Sequence, residues 1–582
     1  MKELLHDIWI RDRRSFIAIL FLNIAVSLTG GISIVMLVPM LGLLHISEGA
    51  GTALAKMSML LQGFSPDVQL LLIICLYFVL IVLKAALNWR LSIRQSEFLE
   101  EYSLALREQL YSTVSGAKWE LLAAERQTDT IDLFTAQCSQ VSHGVSLIVS
   151  LLTSVVSAVV SFGIALWLSL PVTLFVLLAG SAFAVVFLRL LKESRRYGDE
   201  MIRINRSMYA ELFNQLRSIK EVRSYGVRKE HTLLFNEISR SSRDAKLKYM
   251  RQQAFPAMLY SIAAAGMIGI IFVVSTVGFR MDAAKLMVLV YVFTRLWPLL
   301  SGFINKVTSI QTMLPAYEKL MEAFRTFIPE ETSDDAPILS FENEIEFRNV
   351  RFAYRDSQEE VLKDVNFVLK KGSITALMGR SGAGKTTIAD LLMGFLEPTG
   401  GEILIDGIPL SGENLAGWHQ SLGYIPQEPL ILNASVRGNL QRFHPNATET
   451  EMVEALRKAQ AWEVVDNLPQ GLDTLLGDAG IRLSGGERQR IVLARVLMSN
   501  PRLIVMDEAT SALDYESEAA IRKAIRELND QVTVLIIAHR LATVRTAQYA
   551  LVLENGTITE NGELNELVNS PNGYLYKLLL ID

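Results

Sequence analysis

The sequence predicts a two-part chain, an all-α membrane half followed by an α/β half built on a largely parallel sheet. Three observations carry that prediction. Apolar, almost uncharged runs crowd residues 15–303 and then stop, short apolar segments alternate with helical ones after residue 338, and a glycine-rich loop lies between a strand and a helix at 379–386. Composition agrees. Of the 582 residues 50% are hydrophobic and only 20% charged, which excludes disordered and collagen-like chains. A net charge of −5 supplies no global cationic field, so nucleic acid is not an expected partner. The two cysteines, Cys75 and Cys138, are too few for a disulfide framework.

Six apolar runs fill the first half: 15–44, 68–83, 145–170, 171–188, 255–279 and 286–303. A hydrocarbon core takes about 20 apolar residues of helix, so each run spans, two of them only with their flanking Ala, Trp or Leu. The first run is roughly 30 residues long, beyond the core of a secretory signal. Lys2, Arg11, Arg13 and Arg14 precede it, and the segments 89–144 and 189–253 are rich in Arg and Lys, whereas the alternate loops are not. Basic loops stay on the cytosolic side, so a multi-pass protein of the cell membrane with both termini in the cytosol is expected. The two basic segments lack helix breakers and read as helices that leave the membrane and return. Leu4, Leu5, Ile8 and Trp9 share one face of 1–14, which fits a membrane-surface helix, with a short frayed terminus as the alternative. The expected domains are that helix (1–14), a transmembrane domain (15–326), a linker with two prolines and a Thr-Ser-Asp-Asp run (327–337), and a soluble domain (338–582). Segments 345–352, 373–378, 401–405, 503–506 and 532–537 read as strands between helices, hence a parallel sheet.

The chemistry sits in this second half. Gly379, Arg380, Ser381, Gly382, Ala383, Gly384, Lys385 and Thr386 match G-x-x-x-x-G-K-[ST] between a strand and a helix, the context a phosphate loop requires. Glycines let backbone N–H groups wrap phosphates at a helix N-terminus, Lys385 reaches the β and γ phosphates, and Thr386 offers a hydroxyl to magnesium. Thr387 follows within the same nucleotide-binding stretch. The apolar strand 503–506 ends in Asp507 and Glu508: the first would hold Mg2+, the second would accept a proton from attacking water. ATP and Mg2+ are therefore the expected cofactors.

Between these motifs lies Leu483-Ser484-Gly485-Gly486-Glu487-Arg488-Gln489-Arg490, which resembles the signature of ATP-binding cassette (ABC) transporters. Six spans followed by one cassette look like an exporter-type half-transporter, and the resemblance covers nearly the whole chain. It implies roles for further residues. Tyr354 resembles the aromatic that stacks on adenine, Gln427 the glutamine that touches magnesium, Asp514 in Ser511-Ala512-Leu513-Asp514 the loop that crosses to the partner cassette, and His539 in Ala538-His539-Arg540 the switch histidine at the γ-phosphate. Ser484, Gly485 and Gly486 would contact the partner's nucleotide. Glu487 stands where the family most often has Gln, and 477–480 is only loosely like the usual Gly-Glu-Arg-Gly; neither change removes a phosphate ligand.

One chain carries one of each motif, so the resemblance implies a head-to-tail dimer, most economically of two identical copies, with a heterodimer still open. Tips near 117–124 and 219–227 would dock on the cassettes. The implied function is ATP-driven export or flipping of an amphipathic peptide, lipid-linked glycan or drug; import of a metal chelate and an ATP-gated channel or regulator are the alternatives. Arg295 falls near the middle of the sixth span, three residues before Pro298, and Lys84 lies toward the cytosolic end of the second. A cationic cavity for an anionic substrate is one reading of the pair. The other has Arg295 capping carbonyls loosened by Pro298 or stacking on Trp297 or Tyr291.

Overall fold

The computed structural model describes residues 2–36, 66–168, 170, 173–174, 200, 202–204, 206–274, 276, 283–329, 339, 341–355, 359–412, 414–508, 513–538, 540–571, 573 and 575–576. The chain divides into two compact units, one of 1–117 with 121–328, the other of 118–120 with 329–582.

The first unit is helical. Among the described residues three helices are long and apolar enough to cross a membrane, Arg13–Ser33, Leu71–Ser115 and Gln127–Leu166. The fourth expected run, 171–188, lies almost wholly outside the described residues. The fifth and sixth begin inside helices Arg228–Val273 and Ala283–Thr326. Helix Pro66–Ser115 has 50 residues. At 1.5 Å per residue that is about 75 Å, more than twice a ~30 Å hydrocarbon core, so over half its length must lie beyond lipid. The long helices are interrupted by the short helices Trp119–Ala124 and Ile219–Ser224, at the two places where tips are expected.

Helix Lys2–Arg11 anchors the N-terminus: Leu4 and Ile8 are buried, and Asp7 accepts hydrogen bonds from the Tyr102 hydroxyl and Arg11 Nε, both at 2.8 Å. Its other apolar side chains, Leu5, Trp9 and Ile10, stay exposed.

The second unit holds two sheets. Strands β1 (Glu344–Phe352), β2 (Leu362–Lys370), β4 (Gly400–Ile405) and β5 (Ile408–Pro409) form an antiparallel sheet in the order β2-β1-β4-β5, with Phe347 stacked on Phe367 across β1 and β2 at 4.3 Å. The larger sheet adds β3 (Ile374–Gly379), β6 (Leu422–Ile425), β7 (Leu503–Asp507), β8 (Thr533–Ile537), β9 (Tyr549–Glu554) and β10 (Thr557–Glu563), in the order β10-β9-β3-β8-β7-β6. Strands β6, β7, β8, β3 and β9 run parallel. Residue for residue β8 is buried throughout, because helices cover both faces of a parallel sheet and leave no polar side.

Register decides where the chemistry falls. Leu377 pairs with Ile537 and Ile537 with Asp507, while Ile425 pairs with Met506. The carboxyl ends of four adjacent strands therefore reach one edge within a residue or two of each other, and the loops leaving them carry the P-loop, Gln427, Glu508 and the segment containing His539. Behind that edge Trp418 is fully buried against Phe341, and its indole N–H bonds the Leu392 carbonyl at 2.8 Å, which fixes the C-terminal end of the P-loop helix Lys385–Leu392.

Candidate nucleotide-binding site

The P-loop turns on three glycines with positive φ: Gly379 at 153°, Gly382 at 80° and Gly384 at 105°. Gly379 is required for a second reason, since a Cβ there would lie 2.3 Å from the Leu553 carbonyl oxygen. Arg380, Ser381, Gly382 and Thr386 are exposed around the loop, Ala383 is buried beneath it, and its N–H bonds the Arg380 carbonyl at 3.2 Å. Gly384 caps the helix that Lys385 opens. Lys385 is itself buried, its ammonium donating to the Gly379 and Arg380 carbonyls at 3.0 and 3.1 Å. Burial pulls its pKa down, while the nearby carboxylates of Glu508 and Asp507 pull it back up.

Tyr354 follows β1. Its ring packs edge-on against Phe352 at 4.9 Å, and its hydroxyl lies 3.2 Å from the Thr387 hydroxyl on the P-loop helix. An exposed aromatic face is thereby held beside the phosphate cradle. Across the sheet edge the Gln427 amide donates to Glu508 Oε2 at 3.0 Å, so two residues 81 positions apart in sequence meet. The Glu508 backbone is held by its N–H on the Ile537 carbonyl at 3.2 Å, with φ at 46°. Such left-handed backbone costs a glutamate on the order of 1–3 kcal/mol and concentrates at functional sites.

The side chains expected to hold the metal, Thr386, Gln427 and Asp507, offer hard oxygens, the kind of donor that suits magnesium. Among the described residues no group of three or more His, Cys, Asp or Glu could enclose a metal ion. Magnesium, which takes a few protein oxygens together with substrate phosphates, fits such a site better than a caged ion does.

A second group of expected residues gathers around the signature. Ser484 caps helix Gly485–Leu497: its hydroxyl accepts from the Glu487 N–H at 3.3 Å, and Glu487 Oε2 accepts from the Ser484 N–H at 2.7 Å. This reciprocal box explains the unusual Glu487, whose carboxylate also favours the positive end of the helix. Gly486 packs on Ser517 so closely that a Cβ would fall 2.2 Å from the serine Cβ. Asp514 caps helix Tyr515–Glu527, accepting from the Ser517 N–H at 2.9 Å and the Ser517 hydroxyl at 2.8 Å, and these bonds hold its carboxyl below the usual range. Thus Ser517 joins the signature to the Asp514 turn.

His539, Ser511 and Ala512 lie outside the described residues, and so does the Arg295 side chain. Lys84 is half-buried in helix Pro66–Ser115. Sequence reasoning missed Ser517, Glu518, Asp390 and Tyr424. Asp390, on the P-loop helix, is pushed up to about 6 by burial and by Asp507; Tyr424 is pushed up to about 12 by burial and by both acids. An acid in the otherwise apolar stretch Ile388–Leu392 was the available signal.

Apolar helices of membrane-crossing length and a phosphate loop with its acid pair define a membrane protein with an ATP-binding domain. Residues 362–511 match the ABC transporter family model. Over 473 residues the chain is 28% identical to the heterocyst differentiation ATP-binding protein HepA of Nostoc sp., covering 81% of this chain and 78% of that one. It is 40% identical over 265 residues to the alpha-hemolysin translocation ATP-binding protein HlyB of Escherichia coli O157:H7, covering 45% of this chain but 37% of HlyB. The chain spans less than half the length of several such curated relatives. A bacterial Atm1-family ABC exporter, solved with ATP bound, superposes with a TM-score of 0.82 at 23% identity over 97% of this chain and 98% of that one. Residues 362–511 thus form an ABC transporter domain, and nearly the whole chain shares the fold of an ABC exporter, with helical and nucleotide-binding parts in one polypeptide.

Proposed function

We propose that two copies of this chain use ATP hydrolysis to export or flip an amphipathic substrate across the cell membrane, with both termini in the cytosol. The observation that carries the reading is the convergence of Lys385, Gln427 and Glu508 at the carboxyl ends of β3, β6 and β7, Gln427 already hydrogen-bonded to Glu508. In this reading Tyr354 stacks the adenine, the 379–387 loop and Lys385 hold the phosphates, and Thr386, Gln427 and Asp507 hold magnesium, which when bound would neutralise phosphate charge. Glu508 accepts the proton of the attacking water, and His539 contacts the γ-phosphate. Ser484, Gly485, Gly486 and Asp514 serve the partner's site, because one chain has one signature and one P-loop. Closure of the two cassettes then drives the spans between inward-facing and outward-facing states. Relatives named for alpha-hemolysin translocation and for putative multidrug export support export and leave peptide, lipid-linked glycan and drug as substrate classes. Arg295 and Lys84 remain the proposed cationic contacts for an anionic group on that substrate.

The test is hydrolysis by the full chain in liposomes. Glu508→Gln keeps shape but accepts no proton, so turnover should fall by about 100-fold or more while ATP binding persists. Lys385→Ala should lose ATP affinity instead, because a buried cation facing the phosphates is gone. Near-normal turnover in Glu508→Gln sinks the proposal.

A further inference from the structure

The peptide that leaves β8 is tied down on two sides. The Ala538 N–H donates to the Leu377 carbonyl on the P-loop strand at 3.1 Å. Two residues on, Arg540 Nη1 donates to the Leu513 carbonyl at 3.1 Å and to Glu518 Oε2 at 3.1 Å. Leu513 immediately precedes Asp514, and Glu518 sits in the first turn of the helix that Asp514 caps. One guanidinium therefore spans the exit of β8 and the turn at 513–514.

Glu518 is unusual for a surface helix. It is only 4% exposed, and its other oxygen takes the Thr543 hydroxyl at 3.3 Å with Arg522 Nε at 4.0 Å. A carboxylate this buried persists only when cations and hydrogen bonds compensate it. The motifs assign no role to Glu518 or Arg540, and neither belongs to the set that touches nucleotide.

We propose that Glu518 and Arg540 form a positioning pair that sets the rate of ATP hydrolysis, by holding the β8 exit and the Leu513–Asp514 turn in register, without contributing to ATP binding. The inference rests on the ATPase reading above. Neighbouring Ser517 carries the contact with Gly486, so the same helical turn supports the signature, and Glu518 must act through backbone placement rather than by reaching phosphate.

The experiment compares the full-length protein in liposomes with Glu518→Gln, Arg540→Met and the double variant Glu518→Met/Arg540→Met. Wild-type hydrolysis that Glu508→Gln abolishes is established first, so failure of the ATPase reading shows separately. Each single variant should lower kcat by about tenfold while KM for ATP and binding of a fluorescent ATP analogue change less than twofold. The double variant removes the buried Glu518 carboxylate together with its partly exposed Arg540 partner and leaves no unpaired charge, so its melting temperature should return toward wild type while kcat stays low. Recovery of kcat in the double variant overturns the proposal, because the pair would then only neutralise buried charge. A shift in KM with unchanged kcat overturns it as well.

Discussion

In the nucleotide-binding unit, functional side chains from distant stretches meet at strand ends and hold one another: Gln427 on Glu508, Tyr354 on Thr387, Arg540 on Glu518. In the helical unit, part-buried polar groups are spread along helix faces and serve packing. Ser27 meets Ser157 at 2.9 Å, and the Lys306 ammonium donates to the Ser150 carbonyl at 3.0 Å and the Ser154 hydroxyl at 2.6 Å. Helix interfaces in a membrane tolerate many such small polar contacts, each worth about 1 kcal/mol or less, whereas a strand-end site depends on a few. The contrast teaches where one substitution is decisive.

Gly486→Ala gives the sharpest version of that contrast. Its Cβ would strike Ser517 within the tight contact that joins the signature to the Asp514 turn, so the cost should be about 1–3 kcal/mol together with most of the ATPase activity. Gly163→Ala, in helix Cys138–Leu168, meets nothing within 4 Å, and stability should change by less than about 0.5 kcal/mol. Melting curves and turnover of the two variants decide; equal losses would erase the distinction between the units.

Asp390 gives a smaller, pH-dependent effect. Its folded pKa of about 6 lies above the usual carboxyl value near 4, so the folded state binds more protons between those limits and stability falls as pH rises through the window. Asp390→Asn should therefore stabilise the cassette at pH 7 by about 1 kcal/mol after screening, with the gain vanishing toward pH 4. Melting at pH 4.5 and 7 checks the sign, and a gain that grows on acidification refutes it. The smallest effect is expected at Glu487. Glutamine can close the same reciprocal cap, so Glu487→Gln should alter turnover by less than about threefold, or roughly 0.7 kcal/mol. A silent wild type revived by that change would show that the carboxylate repels nucleotide.

Legibility followed the same division. The P-loop and the Asp507–Glu508 pair are runs of neighbours whose spacing is the geometry, so sequence placed them. Ser517, Glu518 and Asp390 also act through partners 31, 22 and 117 residues away, Gly486, Arg540 and Asp507, and no local pattern announces such pairs. Glu487 looked like a departure in one dimension and is a helix cap in three. In the helical unit, hydropathy gives a run its length but not its neighbours. Lys306 thus follows the sixth apolar run as one more charge in sequence, although it bridges to a segment 152 residues distant.

The backbone of Glu508 carries a consequence for anyone improving the molecule. At φ 46° the position suits asparagine or glycine better than glutamate, so relaxation of this residue and loss of the carboxylate proposed to accept the proton come in the same substitution. Selection for thermal robustness alone pulls against activity here, and a hardier cassette obtained that way is one to sequence at codon 508 before it is trusted as a pump.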